Sequence, residues 1–231
     1  MRYRVAVEDI ELGHWVAWVL DLPGCYGDGP TDEAAIAAAP DAIAAYYQWL
    51  HRHDPALPEA LEPIAVEVAE RFTAHPATDQ PDYLVNAFFD HDRRVLSYWD
   101  VAVAARLLEW AVADLDDVLT CIPPELLKGA GTRRSDVAAI VMHIATAENW
   151  YFGMMGLDLD RQNAPAAPRL WLAAVQANTR TQLPRLIGDE RVVTFSGETW
   201  TARKVLRRTL WHTRDHTRHI ARLLPMSGRV F

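Results

Sequence analysis

The hydrophobic period changes once along this chain, and that change limits the fold more than any other feature. Near the N-terminus Tyr3, Val5 and Val7 alternate with Arg2, Arg4 and Glu8, and Ile64, Val66 and Val68 repeat the pattern. Period two belongs to strands with one covered face. From Val101 the apolar residues step by three and four, through Ala104, Leu108, Ala111, Leu115, Val118 and Ile122. That is the stripe of a bundle helix. A strand period cannot serve as a helix period, so the expected class is α+β, a small sheet domain followed by an all-α one. The length of 231 residues is comfortable for two domains.

Within the first part, residues 3–10 and 15–20 read as strands joined by a turn at 11–14. Thr31 is placed to cap a helix running to about His51, with Asp32 and Glu33 in its first turn. Pro40 is expected to kink or fray that helix. Residues 64–72 supply the next strand, giving a ββαβ order. Pro76 and polar residues at 73–80, with Pro81 directly after, mark the end of the unit. The expected organisation is therefore a sheet domain at 1–75, a connecting segment at 76–97 and a helical domain at 98–231.

The run Asp21-Leu22-Pro23-Gly24-Cys25, then Gly27-Asp28-Gly29 and Thr31-Asp32-Glu33-Ala34, resembles the N-terminal domain of the HicB-like antitoxin family over roughly residues 1–72. The resemblance implies a partial RNase-H-like sheet without the nuclease's carboxylate cluster, serving as an interaction module. Cys25 is expected to close a turn as a small residue rather than to react.

In the second part Pro123 and Pro124 end the first helix, and Thr132 or Ser135 can cap a second that runs to about Met155. A polar, proline-containing loop at 156–168 precedes a third helix at 169–183. Residues 191–200 read as a short extended piece, and Thr201 caps a fourth helix at 201–224. Four helices with one longer connection describe a bundle with a crossover.

On that fourth helix His212 and His216 share an arc of about 120° with Val205, Leu206, Thr209, Ile220, Leu223 and Leu224. Arg203, Lys204, Arg207, Arg208, Arg214, Arg218 and Arg222 take the other side, expected to be a solvated face. Asp215 belongs to that side as a charge partner for Arg208 or Arg222. His143 shares a face of the second helix with Ile140, Ala147, Tyr151 and Met154. That face is expected to turn to the bundle core, where three histidines on two helices can meet. They would then either hydrogen-bond within the core or chelate one ion and leave positions open for water or substrate. Glu148 and His219 are candidates to support a ligand without touching the ion, but Glu148 also reads as a plain surface glutamate and His219 as a rim residue. Tyr151, Trp150 and Trp211 read as core or interface aromatics rather than substrate platforms, and no catalytic residue is assigned.

The stretch Met142-His143-Ile144-Ala145-Thr146-Ala147-Glu148, with Trp211-His212-Thr213-Arg214-Asp215-His216 downstream, resembles the DinB-like (YfiT-type) family over roughly residues 98–226. That resemblance implies a four-helix bundle with a crossover, a divalent metal on His143, His212 and His216, and hydrolase or thiol-dependent S-transferase chemistry. It departs from the family where Thr217-Arg218-His219 stands in place of the usual Arg-Gly-Gln. Zinc and nickel both suit imidazole ligands.

The formal net charge of −8 argues against nucleic-acid and anionic-membrane partners. Two distant cysteines, Cys25 and Cys121, exclude a disulfide framework and a cysteine-rich zinc site. With no leader and no membrane-length apolar run, the expected place is the cytosol. The expected function is a metal-dependent enzyme acting on a small molecule, with a low-molecular-weight thiol as cosubstrate and homodimerisation as a further expectation. The alternative is a binding or regulatory protein whose metal is only stabilising.

Overall fold

The computed structural model describes residues 1–59, 63–123, 127 and 137–224. They form an α+β protein that divides into two compact units, Met1–Arg94 with Thr194–Trp200, and Val95–Val193 with Thr201–Phe231.

The first unit is built on β1 (Arg2–Glu11), β2 (His14–Val19), β3 (Tyr26–Gly29), α1 (Asp32–His53) and β4 (Ala65–Thr73). The sheet order is β3-β2-β1-β4, with β1 antiparallel to β2 and parallel to β4. Gly13 sits at φ 72° in the β1–β2 turn, a conformation that costs glycine little. The chain thus has one strand more than the expected ββαβ order. Residues 26–29 were hidden because Gly27 and Gly29 carry no β propensity. Packing explains both: a Cβ on Gly27 would stand 2.6 Å from the Ala35 carbonyl oxygen, and one on Gly29 would stand 2.8 Å from the Ala34 Cβ.

Thr31 caps α1 as expected, its hydroxyl accepting from the Ala34 N–H at 3.2 Å. Pro40 does not end the helix, which continues to His53. Ala35, Ala39, Ile43, Tyr46 and Trp49 form its buried face. Cys25 is buried, its Sγ 3.7 Å from the Ala42 carbonyl oxygen, a packing role like the one expected. Two small ribbons follow: β5 (His75–Pro76) with β6 (Leu84–Val85), and β7 (Val193–Phe195) with β8 (Glu198–Trp200).

The second unit holds α2 (Tyr98–Thr120), α3 (Val137–Gly153), α4 (Pro168–Gln182) and α5 (Ala202–Leu223). Ser97 opens α2 with a capping box: it accepts from Asp100 N–H while Asp100 accepts from the Ser97 N–H. The expected caps of α3, Thr132 and Ser135, lie outside the described residues. Helix α3 packs on α4 and α5, and α2 packs on α5. Leu115 and Val118, Val141 and Ile144, Trp171 and Val175, and Ile220 bring all four helices into one core. Asn149 pins the following loop by accepting from the Leu159 N–H and donating to the Leu159 carbonyl.

Helix α5 differs from expectation on its cationic side. Lys204, Arg208 and Arg214 are buried, Arg203 is held by Asp100, and among these cations only Arg222 is exposed. The side read as solvated arginine is therefore a packed one over most of its length, and Asp215 is half-buried rather than outward. Among the described residues no helix is long and apolar enough to cross a membrane.

Candidate metal centre

Three elements of local chemistry place the centre. Thr201 starts α5, its hydroxyl accepting from the Lys204 N–H at 3.3 Å, and thereby fixes the phase of everything downstream. Four residues make just over one helical turn, so His212 and His216 stack on one face. Helix α3 then brings His143 across to them.

The Nε2 atoms of His143 and His212 lie 3.0 Å apart, and those of His212 and His216 also lie 3.0 Å apart. Together the three residues offer ligand atoms all within 4.8 Å of one another, with no carboxylate or thiol in the group. The rings tilt steeply: 56° between His143 and His212, 86° between His143 and His216, and 84° between His212 and His216. An imidazole nitrogen has one in-plane lobe and makes one good hydrogen bond. The Nε2 of His212 meets two neighbours, so hydrogen bonding alone leaves one of these contacts unsatisfied. A shared cation satisfies all three lone pairs. At a zinc–nitrogen length of 2.0–2.1 Å, tetrahedral ligands stand about 3.3 Å apart, close to the observed spacing. The three histidines can hold a metal ion.

Electrostatics favours the ligating form. Burial, reinforced by His216, His143 and Arg208, pushes the His212 pKa well below the ordinary imidazole value. Burial, then His143 and His219, pushes His216 down to about 3. Both rings stay neutral, which is the state that binds metal. Their outer nitrogens, His212 Nδ1 and His216 Nδ1, are buried without a hydrogen-bond partner among the described residues. Metal-bound histidines usually donate that N–H to an oxygen, so each costs about 1–3 kcal/mol where it stands.

The remaining candidates fall at different distances. His143 is the exposed member, not a core residue as its apolar neighbours implied, and it opens the centre to solvent. His219 is half-buried, with its ring 6.0 Å from that of His216, as a rim residue would be. Glu148 is not on the surface: it is 3% exposed and turns to α4, where Thr179 Oγ1 donates to its Oε1 at 2.5 Å. Burial raises its pKa to about 7 against the lowering effects of Thr179 and Arg180.

Two residues stand beside the centre. Tyr151, buried as the sequence reading has it and on the face of His143, sets its ring 5.8 Å from His212. Arg208, read as solvated, lies over Trp211 at 4.7 Å and Tyr151 at 5.7 Å. Spacing was the available signal: Arg208 precedes His212 by four residues, and Tyr151 follows His143 by eight.

Fold and site together define an α+β protein with a three-histidine centre on its helical unit. Through about a third of its length the chain belongs to the UPF0150 family. It is 33% identical over 75 residues, 32% of this chain and 99% of the relative, to the UPF0150 protein Ta0767 of Thermoplasma acidophilum. That relationship is a hint of the HicB-like domain. No family model matches the chain, and no solved structure matches it. The DinB-like likeness thus stands on the histidine pattern.

Proposed function

We propose that this chain is a metal-dependent enzyme in which His143, His212 and His216 hold one divalent ion, zinc or nickel, for S-transfer with a low-molecular-weight thiol or for hydrolysis of a small molecule. The observation that carries it is the convergence of three imidazole Nε2 atoms in one ligand group. The DinB-like resemblance of residues 98–226 supplies the thiol-dependent option. When bound, the ion supplies Lewis acidity, which lowers the pKa of a water or thiol beside it. The chain's own residues do the rest. Burial keeps His212 and His216 unprotonated. His143, at the exposed edge, leaves the side by which a small molecule enters. A neutral three-nitrogen set leaves coordination positions free, as in catalytic zinc sites.

Elemental analysis of protein purified without chelator tests this. The expected result is one divalent ion per chain, lost in His212→Ala and His216→Ala and weakened in His143→Ala. Consumption of a thiol or an ester on an electrophile panel should fall with the metal. Wild-type protein without stoichiometric metal would overturn the proposal. Stoichiometric metal whose removal lowers thermal stability, with no turnover on any panel member, would instead favour a binding or regulatory protein.

A further inference from the structure

Helix α2 is apolar on two sides. Val101, Ala104, Leu108, Ala111, Leu115 and Val118 face the bundle core, and one such stripe is all that a bundle helix needs. Trp99 and Val103, on one i to i+4 ridge, stand on the outer side at 74% and 48% exposed. Tyr98 at 64% and Val95 at 44% adjoin them. The Gly188 N–H donates to the Leu96 carbonyl at 2.9 Å, which sets Ile187, 39% exposed, beside the start of the helix. The Tyr98 and Trp99 rings meet edge to face, 5.7 Å apart, so the two anchors are already ordered.

Asp100, next to Trp99 in sequence, is turned to Ser97 and Arg203. Charge begins only at the margins, with exposed Arg94 at one end and exposed Arg106 and Glu109 at the other. An aromatic centre without charge, inside a polar rim, is the composition of a protein interface. With these exposures the five side chains present roughly 500 Å² of mostly apolar surface, near the top of what a monomer's largest patch holds.

We propose that this face seats a second copy of the chain, the two α2 helices crossing about a two-fold axis near Trp99 and Val103. A two-fold contact is self-complementary, so a single patch covers its own copy. Such an axis sets Trp99 on the partner's Val103, and Val103 under the partner's Trp99, a large side chain against a small one each time. Half-buried Ala102, beside that ridge, adds little bulk to hinder the approach. Two patches together bury roughly 1,000 Å², which reaches the lower bound for a specific interface. An unlike protein would have to bring a matching apolar patch, and the formal charge of −8 disfavours an anionic membrane. None of these residues belongs to the three-histidine group, so the pairing stands apart from the metal reading.

Sedimentation equilibrium of the full chain from about 1 to 100 μM tests the pairing. Wild-type protein should pass from monomer to dimer with a dissociation constant of about micromolar order, as an interface of this size allows. Two chains of net charge −8 repel each other, so added salt should tighten the dimer by about twofold or more. Trp99→Ser should weaken it about thirtyfold, the loss of a central aromatic anchor. Val103→Asp should abolish it, because it would bury an unpaired charge against Trp99. Leu170→Ser, at an exposed apolar residue of α4, should leave it unchanged. All three positions are on the surface, and circular dichroism verifies that each variant folds. Wild-type protein that stays monomeric throughout, a dimer equally tight in Trp99→Ser and Val103→Asp, or a dimer that salt loosens would each overturn the proposal. Monomeric protein that binds phosphatidylcholine vesicles through Trp99 would overturn it in favour of a lipid surface.

Discussion

At the scale of single residues, burial does opposite things to the two kinds of titratable group in the helical unit. It holds His212 and His216 neutral by disfavouring the cation, and it holds Glu148 protonated near neutrality by disfavouring the anion. The consequences for stability have opposite signs. The folded histidines refuse protons that the unfolded ones accept below about pH 6.5, so their contribution is lost as pH falls. Glu148 keeps a proton that the unfolded chain has released above about 4.5, so its contribution is lost as pH rises toward 7. Between those limits the effects oppose, and the total hides them. Glu148→Gln separates them. The variant should gain stability relative to wild type as pH rises from 5 to 8, by up to about 3 kcal/mol. Urea denaturation of both proteins across that range measures it; parallel curves would show that Glu148 does not titrate there. The three histidines were legible because a helical period states which residues share a face. Glu148 and Arg208 were not, because that period does not state which neighbour the face will meet.

At the scale of elements, end signals read well and contact-driven features did not. Thr31 and Thr201 each start a helix with a side-chain oxygen on the third N–H, as the sequence placed them. The strand at Tyr26–Gly29 is the counter-example, for its two glycines are there to admit α1 and not to favour a strand. Their value is measurable. Gly27→Ala would force a methyl group to within 2.6 Å of the Ala35 carbonyl oxygen and 2.8 Å of the Ala39 nitrogen. Both obstacles are helix backbone, which cannot swing aside as a side chain can. The expected cost is about 1–3 kcal/mol, at the level of overpacking a core. Chemical denaturation checks it, and the same substitution at Gly13, where a Cβ meets nothing within 4 Å, serves as a contrast. At Gly13 the cost comes only from the positive φ, about 1–2 kcal/mol. Equal denaturation midpoints for Gly27→Ala and wild type would mean that α1 moves freely relative to β3.

At the scale of the whole molecule, the chain visits its first unit twice. Residues 194–200 lie far along the sequence yet belong with Met1–Arg94. The change of hydrophobic period revealed two kinds of structure, but no local pattern reveals a return of seven residues from one unit to the other. Chemistry shows what the return supplies. Glu198 is buried, and its Oε2 accepts from the Tyr83 hydroxyl at 2.5 Å and from the Asn86 N–H at 3.1 Å. Phe195 sets its ring 5.4 Å from Tyr83, edge to face. One carboxylate from the second visit thus satisfies two donors of the first. Glu198→Ala removes both of these hydrogen bonds, and losing a typical one costs about 0.5–1.5 kcal/mol. The first unit should therefore lose stability, seen as faster amide hydrogen exchange at Asn86 and along β5 and β6. Divalent metal per chain should stay at the wild-type level, because the three histidines lie in the other unit. Unchanged exchange at Asn86 would show that the hairpin only rests on the sheet unit. Loss of metal together with protection would show instead that these seven residues support both units.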